Sequence, residues 1–204
     1  TGGSNGNMLG MLCARQYADP MSSLNGFDGT KYVAFVSEEA HYSVLMSANV
    51  IGIGHQNLIK VKCDSSGRMK PESLIDEINR AVENNRVPFC IIATSGTTVR
   101  GSFDPLREIA NIAHDNDIWL HVDAAWGGSC LFSRRHRYLM DGVELADSVC
   151  WDAHKMMGLP LICSVFLTKN KAVLRSVCTH VDSAHYLFHD DTKDVDLGLS
   201  LIHI

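Results

Sequence analysis

Short apolar runs of strand character alternate with segments of helical periodicity along almost the whole chain, and that alternation limits the folds open to it. The strand-like runs fall at 32–36, 59–62, 87–94, 118–122, 147–151 and 162–167. Residues 4–18 carry Met8, Leu9, Leu12 and Cys13 at helical spacing and break at Asp19-Pro20, and a second helix is expected from near Ala40 to about Gly52. Pro71 opens a third, since proline at the first helical position gives up an N–H that lacks a partner there. Asp104-Pro105 starts a fourth that runs to about Asn116. Strands spaced by helices in this way build βαβ units, so the expected fold is α/β, a mostly parallel sheet with helices on both faces. No repeat or low-complexity tract divides the chain, and 1–204 reads as one unit. Ligands in such sheets collect at the carboxyl ends of the strands.

Charge and cysteine usage exclude several partners. A net charge of −5 with no basic stripe argues against nucleic acid and anionic membrane, and Arg134, Arg135, His136 and Arg137 form too short a run to change that. No apolar run approaches the roughly 20 residues of a membrane helix. The seven cysteines are scattered without a C-x-x-C pair, several inside apolar runs such as Phe89-Cys90-Ile91-Ile92. A disulfide framework or zinc site is therefore not expected, and a reducing cytoplasm is. Asp190, Asp191, Asp194 and Asp196 lack the glycine turn and terminal glutamate of a calcium loop, so no metal is expected. The chain begins at Thr1 without a methionine and stops at Ile204 within an apolar run, as a piece of a longer protein would.

Five segments carry side chains suited to chemistry. In His-Val-Asp-Ala-Ala-Trp-Gly-Gly at 121–128, strand alternation points His121 and Asp123 the same way, with Asp123 at the strand's end and small residues after it. Lys155 follows the next strand and is flanked by Met156 and Met157; partial desolvation there favours the neutral amine that forms Schiff bases. Gly2, Gly3, Ser4, Asn5, Gly6 and Asn7 lead into the first helix, whose free N–H groups suit an anion. Thr94-Ser95-Gly96-Thr97-Thr98 brings hydroxyls to another strand end, and His41 stands near a helix start. Taken singly, each has a plain structural reading: a turn cap, a solvated lysine, a helix cap, a closed turn, a structural histidine. Together they supply a phosphate cradle, a carboxylate, an amine, an aromatic ring and a hydroxyl pair. Those are the parts that pyridoxal 5'-phosphate needs.

The stretches 37–43, 93–105, 119–128, 154–158 and Tyr186-Leu187-Phe188 resemble the group II pyridoxal-phosphate-dependent amino acid decarboxylases, near glutamate and cysteine-sulfinate decarboxylases. The resemblance implies the large, cofactor-binding domain of the aspartate-aminotransferase-like class, without the amino-terminal segment and small carboxy-terminal domain. It implies a carbon–carbon lyase acting on a small amino acid, and a homodimer when full length. It further implies that Lys155 holds the cofactor, Asp123 pairs with its ring nitrogen, and His41 and Ala125 take opposite ring faces. Thr98 is expected at the polar edge, and His154, Ser4, Asn5 and Gly6 near the phosphate. Tyr186 is expected to return a proton to the carbon that loses carbon dioxide, from a loop reaching across the dimer.

Three positions depart from that pattern. Asp152-Ala153 stand where the family usually has Asn-Pro, and Gly6 replaces a common serine of the phosphate loop. Trp126-Gly127-Gly128 and Lys155-Met156-Met157-Gly158 resemble the branch acting on acidic substrates: glutamate, cysteine sulfinate or aspartate. An aromatic amino acid or diaminobutyrate is the alternative substrate, and a cofactor-binding piece without activity is the second alternative.

Overall fold

The computed structural model describes residues 2–178. Helix α1, Gly3–Ala18, is followed by the single turn α2, Ser22–Asn25, and by strand β1, Tyr32–Ser37. Then come α3, Ser43–Val50; β2, Leu58–Val61; α4, Pro71–Glu83; β3, Val87–Thr94; α5, Leu106–Asp115; and β4, Trp119–Asp123. Three 3-10 turns, Gly127–Phe132, Arg137–Met140 and Val143–Leu145, lead to β5, Ser148–Asp152, after which β6, Ser164–Thr168, and α6, Lys171–Cys178, complete the described chain.

The strands form one sheet in the order β2-β1-β3-β4-β5-β6, parallel except for β6, which runs antiparallel to β5. The expected mostly parallel α/β sheet is what is observed. Alternating residues feed two cores. Val33, Phe35, Ile91, Leu120 and Val122 meet Leu74 and Ile78 of α4 and Leu106 and Ile109 of α5, while Ala34, Val36, Cys90 and Ile92 meet Leu9, Met11 and Ala14 of α1 and Val44 and Ala48 of α3. Both strand faces are therefore dry, which accounts for their unbroken apolar runs. The alternation slips once. Val33 pairs with Pro88 and Ala34 with Cys90, so Phe89 is an extra residue, and the bulge tolerates a proline in a central strand.

Helix ends explain the clean transitions into β3 and β4. Asn85 and Asp117 each stand just past a helix with φ 53°, a left-handed conformation that Asn and Asp side chains tolerate. Helix α3 begins three residues later than expected from the apolar pattern. The Ser43 N–H donates to His41 Nδ1, and the Ser37 hydroxyl takes the Glu39 N–H, so these local bonds hold 37–42 as a turn.

The carboxyl ends of β1, β3, β4 and β5 share one edge, and α1 starts there. Two glycines let α1 lie close to the sheet: a Cβ at Gly6 would stand 2.5 Å from Cys150 Cβ, and one at Gly10 would stand 2.4 Å from His121 Nδ1. Among the described residues no helix is long and apolar enough to cross a membrane.

Candidate functional site

A cleft of about 200 Å³ opens at that edge. Gly2, Gly3, Ser4 and Asn7 line it from the start of α1, and His41 and Ser43 from the turn after β1. Thr94, Gly96 and Thr98 follow β3, Asp123, Ala125 and Trp126 follow β4, and Asp152, His154 and Lys155 follow β5. Lys155, His41, Asp123, Ala125, Thr98, His154 and Ser4, to which the resemblance gives roles, thus meet in one place. Asn5 and Gly6 do not line the cleft; Gly6 is buried against Cys150, where only a residue without a side chain fits. Tyr186 and the aspartates at 190, 191, 194 and 196 lie outside the described residues.

Asp123 ends a directed chain of hydrogen bonds. Trp119 Nε1–H donates to Ser148 Oγ at 2.9 Å, and Ser148 Oγ is 2.9 Å from His121 Nδ1. His121 Nε2 is 3.0 Å from Asn7 Oδ1, and Asn7 Nδ2 donates to Asp123 Oδ2 at 2.7 Å. An amide oxygen can only accept, so His121 carries a proton on Nε2, and in the neutral ring that burial favours, Nδ1 accepts the Ser148 hydroxyl. The Ala125 N–H donates to Asp123 Oδ1 at 3.1 Å. Asn7 Nδ2 also donates to Ser43 Oγ, itself 2.9 Å from His41 Nδ1, so one buried amide aligns both Asp123 and His41. The sequence placed Asn7 only in the helix-start segment and not beside Asp123, since its partners lie 36 and more than 100 residues away. The available signal was a polar residue set between Gly6 and Gly10 on a helix face otherwise apolar or small.

Burial pushes the His121 imidazole down to about 4, against the pull of Asp123 in the other direction. The unfolded chain, with an ordinary imidazole near 6.5, then takes up the proton first as the solution is acidified. The stability this group contributes is complete above about 6.5 and is lost as pH falls toward about 4. Urea melts of the complete protein at about pH 7 and about pH 5 should show a loss of about 2 kcal/mol that a His121→Gln variant lacks. Equal pH dependence in the two proteins is the contrary result. The comparison must be between proteins, because Asp104 acts oppositely: burial pushes its carboxyl up to about 6 although the N–H groups of Met69 and Thr94 both bond it at 2.7 Å.

Lys155 reaches the cleft from the turn after β5, its side chain 37% exposed and Nζ 3.3 Å from Asp152 Oδ2. His154 Nδ1 is 3.0 Å from the Cys163 carbonyl, which turns the ring's other edge toward Asp152, with Nε2 at 3.9 Å. Thr94 Oγ1 is buried beside the cleft and has no hydrogen-bond partner among the described residues, an expensive state that a polar ligand edge would relieve. Small residues leave room for a flat group. At Gly96, φ 84°, a Cβ would come within 2.9 Å of Gly127 N, and at Gly3 within 2.8 Å of Ala125 Cβ. An amine, a buried carboxylate, an unpartnered hydroxyl and a helix N-terminus around such a floor fit a flat, phosphorylated carbonyl compound.

A family model described as the pyridoxal-dependent decarboxylase conserved domain matches residues 1–203. The acidic amino acid decarboxylase GADL1 of Bos taurus is 45% identical over 191 residues, 93% of this chain and 36% of that protein. The glutamate decarboxylase-like protein FG08083 of Gibberella zeae is 43% identical over 190 residues, with the same coverage of 93% and 36%. The crystal structure of mouse CSAD superposes with a TM-score of 0.89 at 40% identity, covering 99% of this chain and 42% of that one. The chain spans about a third of the length of the curated relatives it matches.

Proposed function

The chain belongs to the pyridoxal-dependent decarboxylase family, and we propose that the protein of which it forms part removes the carboxylate of a small acidic L-amino acid as carbon dioxide. The observation that carries this reading is the meeting of Lys155, Asp123, His41 and the start of α1 around one cleft, although they come from four distant parts of the chain. The acidic side chain of the substrate is supported by the 45% identity to a relative named for acidic amino acids. Further supports are the Trp126-Gly127-Gly128 and Met156-Met157-Gly158 segments.

Pyridoxal phosphate, when bound, supplies an electron sink for the pair released as the carboxylate departs. In the proposed arrangement Lys155 Nζ holds its aldehyde carbon, and Asp123, aimed by Asn7 and Ala125, keeps a proton on the ring nitrogen. His41 and Ala125 bound the two ring faces and keep water from them. Thr98 and His154 meet polar edges, and Ser4 at the start of α1 faces the phosphate. Asn5 belongs to that first turn, and Gly6 acts by letting α1 approach the sheet. Tyr186 would donate the proton that replaces carbon dioxide on the substrate carbon. Residues 1–204 would be the cofactor-binding part of a homodimer. The exposed apolar run Met156, Met157, Leu159, Leu161 and Ile162 supports burial against a further surface. All seven cysteines are free, in keeping with a cytoplasmic setting.

The test is carbon dioxide release by the complete protein, supplied with pyridoxal phosphate and offered glutamate, aspartate, cysteine sulfinate, tyrosine and diaminobutyrate separately. Release from an acidic substrate is expected. Release from tyrosine or diaminobutyrate alone would keep the reaction and overturn the substrate class. Cofactor fixed by borohydride on Lys155 without any release would leave a binding protein and sink the enzyme reading.

A further inference from the structure

The carboxylate of Asp152 occupies the place where an entering anion would be received. It ends β5 and is 1% exposed, and both oxygens are engaged. Oδ2 accepts the Gly3 N–H at 3.0 Å and lies 3.3 Å from Lys155 Nζ, while Oδ1 accepts the Ser164 hydroxyl at 2.6 Å. Gly3 is the first residue of α1, a helix of 16 residues whose aligned peptide dipoles gather partial positive charge at that end. The helix N-terminus, the lysine and the cleft are thus served by a carboxylate belonging to the protein itself. The unpartnered, buried Thr94 Oγ1 on the same cleft is a separate sign that a polar ligand enters here.

Resting on the cofactor assignment above, we propose that Asp152 is a resident anion at the start of α1, one that the cofactor's phosphate must displace or repel. The phosphate of pyridoxal phosphate therefore adds little to its binding in this protein. Two like charges brought to one helix end repel strongly in a site as dry as this one. The Gly3 N–H cannot serve both, and the Ser164 hydroxyl holds the carboxylate in place. The same carboxylate also holds Lys155 Nζ at 3.3 Å, so phosphate and lysine meet one resident charge. An asparagine has the same shape and lacks the charge; its oxygen can still accept the Gly3 N–H while its N–H turns to the Ser164 hydroxyl oxygen, so Asp152→Asn removes the charge and keeps both contacts.

The experiment measures equilibrium binding of inorganic phosphate, pyridoxal and pyridoxal phosphate to the complete protein and to Asp152→Asn, with borohydride reduction to show attachment at Lys155. The variant is expected to bind inorganic phosphate and pyridoxal phosphate roughly tenfold more tightly or better, with a smaller gain for pyridoxal, which brings no phosphate. Unchanged or weaker phosphate binding in the variant overturns the proposal. Should the variant not fold, the wild-type protein decides alone. Pyridoxal phosphate bound less than about tenfold more tightly than pyridoxal supports the resident anion, and an advantage of roughly a hundredfold or more overturns it. If borohydride fixes no cofactor on Lys155 in either protein, the cofactor assignment itself fails and takes this inference with it. Fixation with a full phosphate advantage removes only the role of Asp152.

Discussion

Lys155→Ala is expected to lower carbon dioxide release by the complete protein roughly a thousandfold or more, and borohydride should no longer fix the cofactor to it. Lys155 is the only lysine that lines the cleft among the described residues, so no neighbouring amine can take its place. Its removal also strips Asp152 of a cation 3.3 Å away, and a loss of activity could be charged to that ion pair instead. Lys155→Arg separates the two. The guanidinium keeps the positive charge beside Asp152 but cannot shed its proton to become a nucleophile. The arginine variant should therefore melt close to wild type, since the buried Asp152 carboxylate keeps a cation beside it, and should be as inactive as the alanine variant. More than about a tenth of the wild-type rate in either protein would remove Lys155 from its role.

The sheet was legible because burial on both faces leaves strands as unbroken apolar runs; 87–94 was placed to the residue. Helices α4 and α5 were legible from Pro71 and Asp104-Pro105 and from apolar residues three and four apart. Residues 127–145 hid their 3-10 turns, since runs of three to six residues are too short to show a period. Helix α6 was missed, although Val173, Leu174 and Val177 are spaced to meet the core. In the site, the residues legible from the chain were those whose chemistry is local: Lys155 and Asp123 at strand ends, and Ser4 at a helix start. Asn7 was not, because its meaning depends on α1 docking across β4 and β5 through Gly6 and Gly10. Asp152 was legible as a departure. Its bonds to Gly3 and Ser164 arise from three segments far apart in sequence, and no pattern in any one of them announces the others.

Asp123→Asn is expected to cut the rate about a hundred- to a thousandfold while costing the fold far less. The rate loss follows from charge: a buried carboxylate facing a ring nitrogen stabilises the protonated, electron-accepting form, and a neutral amide of the same shape does not. The cost to the fold follows from the direction of the hydrogen-bond chain. Trp119 Nε1 can only donate at one end, and the Asp123 carboxylate, which only accepts, receives at the other. An amide at 123 must turn its own N–H toward either Asn7 Nδ2 or the Ala125 N–H, setting donor against donor. Flipping Asn7 to relieve this would confront the His121 Nε2–H with another N–H, and moving that proton to Nδ1 would take from the Ser148 O–H its acceptor. One bond in the chain is therefore lost wherever the conflict settles, at about 1–3 kcal/mol in a urea melt. The rate loss corresponds to about 3–4 kcal/mol of barrier in an enzyme that still folds and still fixes cofactor on Lys155. Asp123→Ala leaves both donors unpaired and should cost the fold more without slowing the reaction much further. Turnover near the wild-type rate in the Asn variant would mean that the carboxylate serves only to order α1 against the sheet.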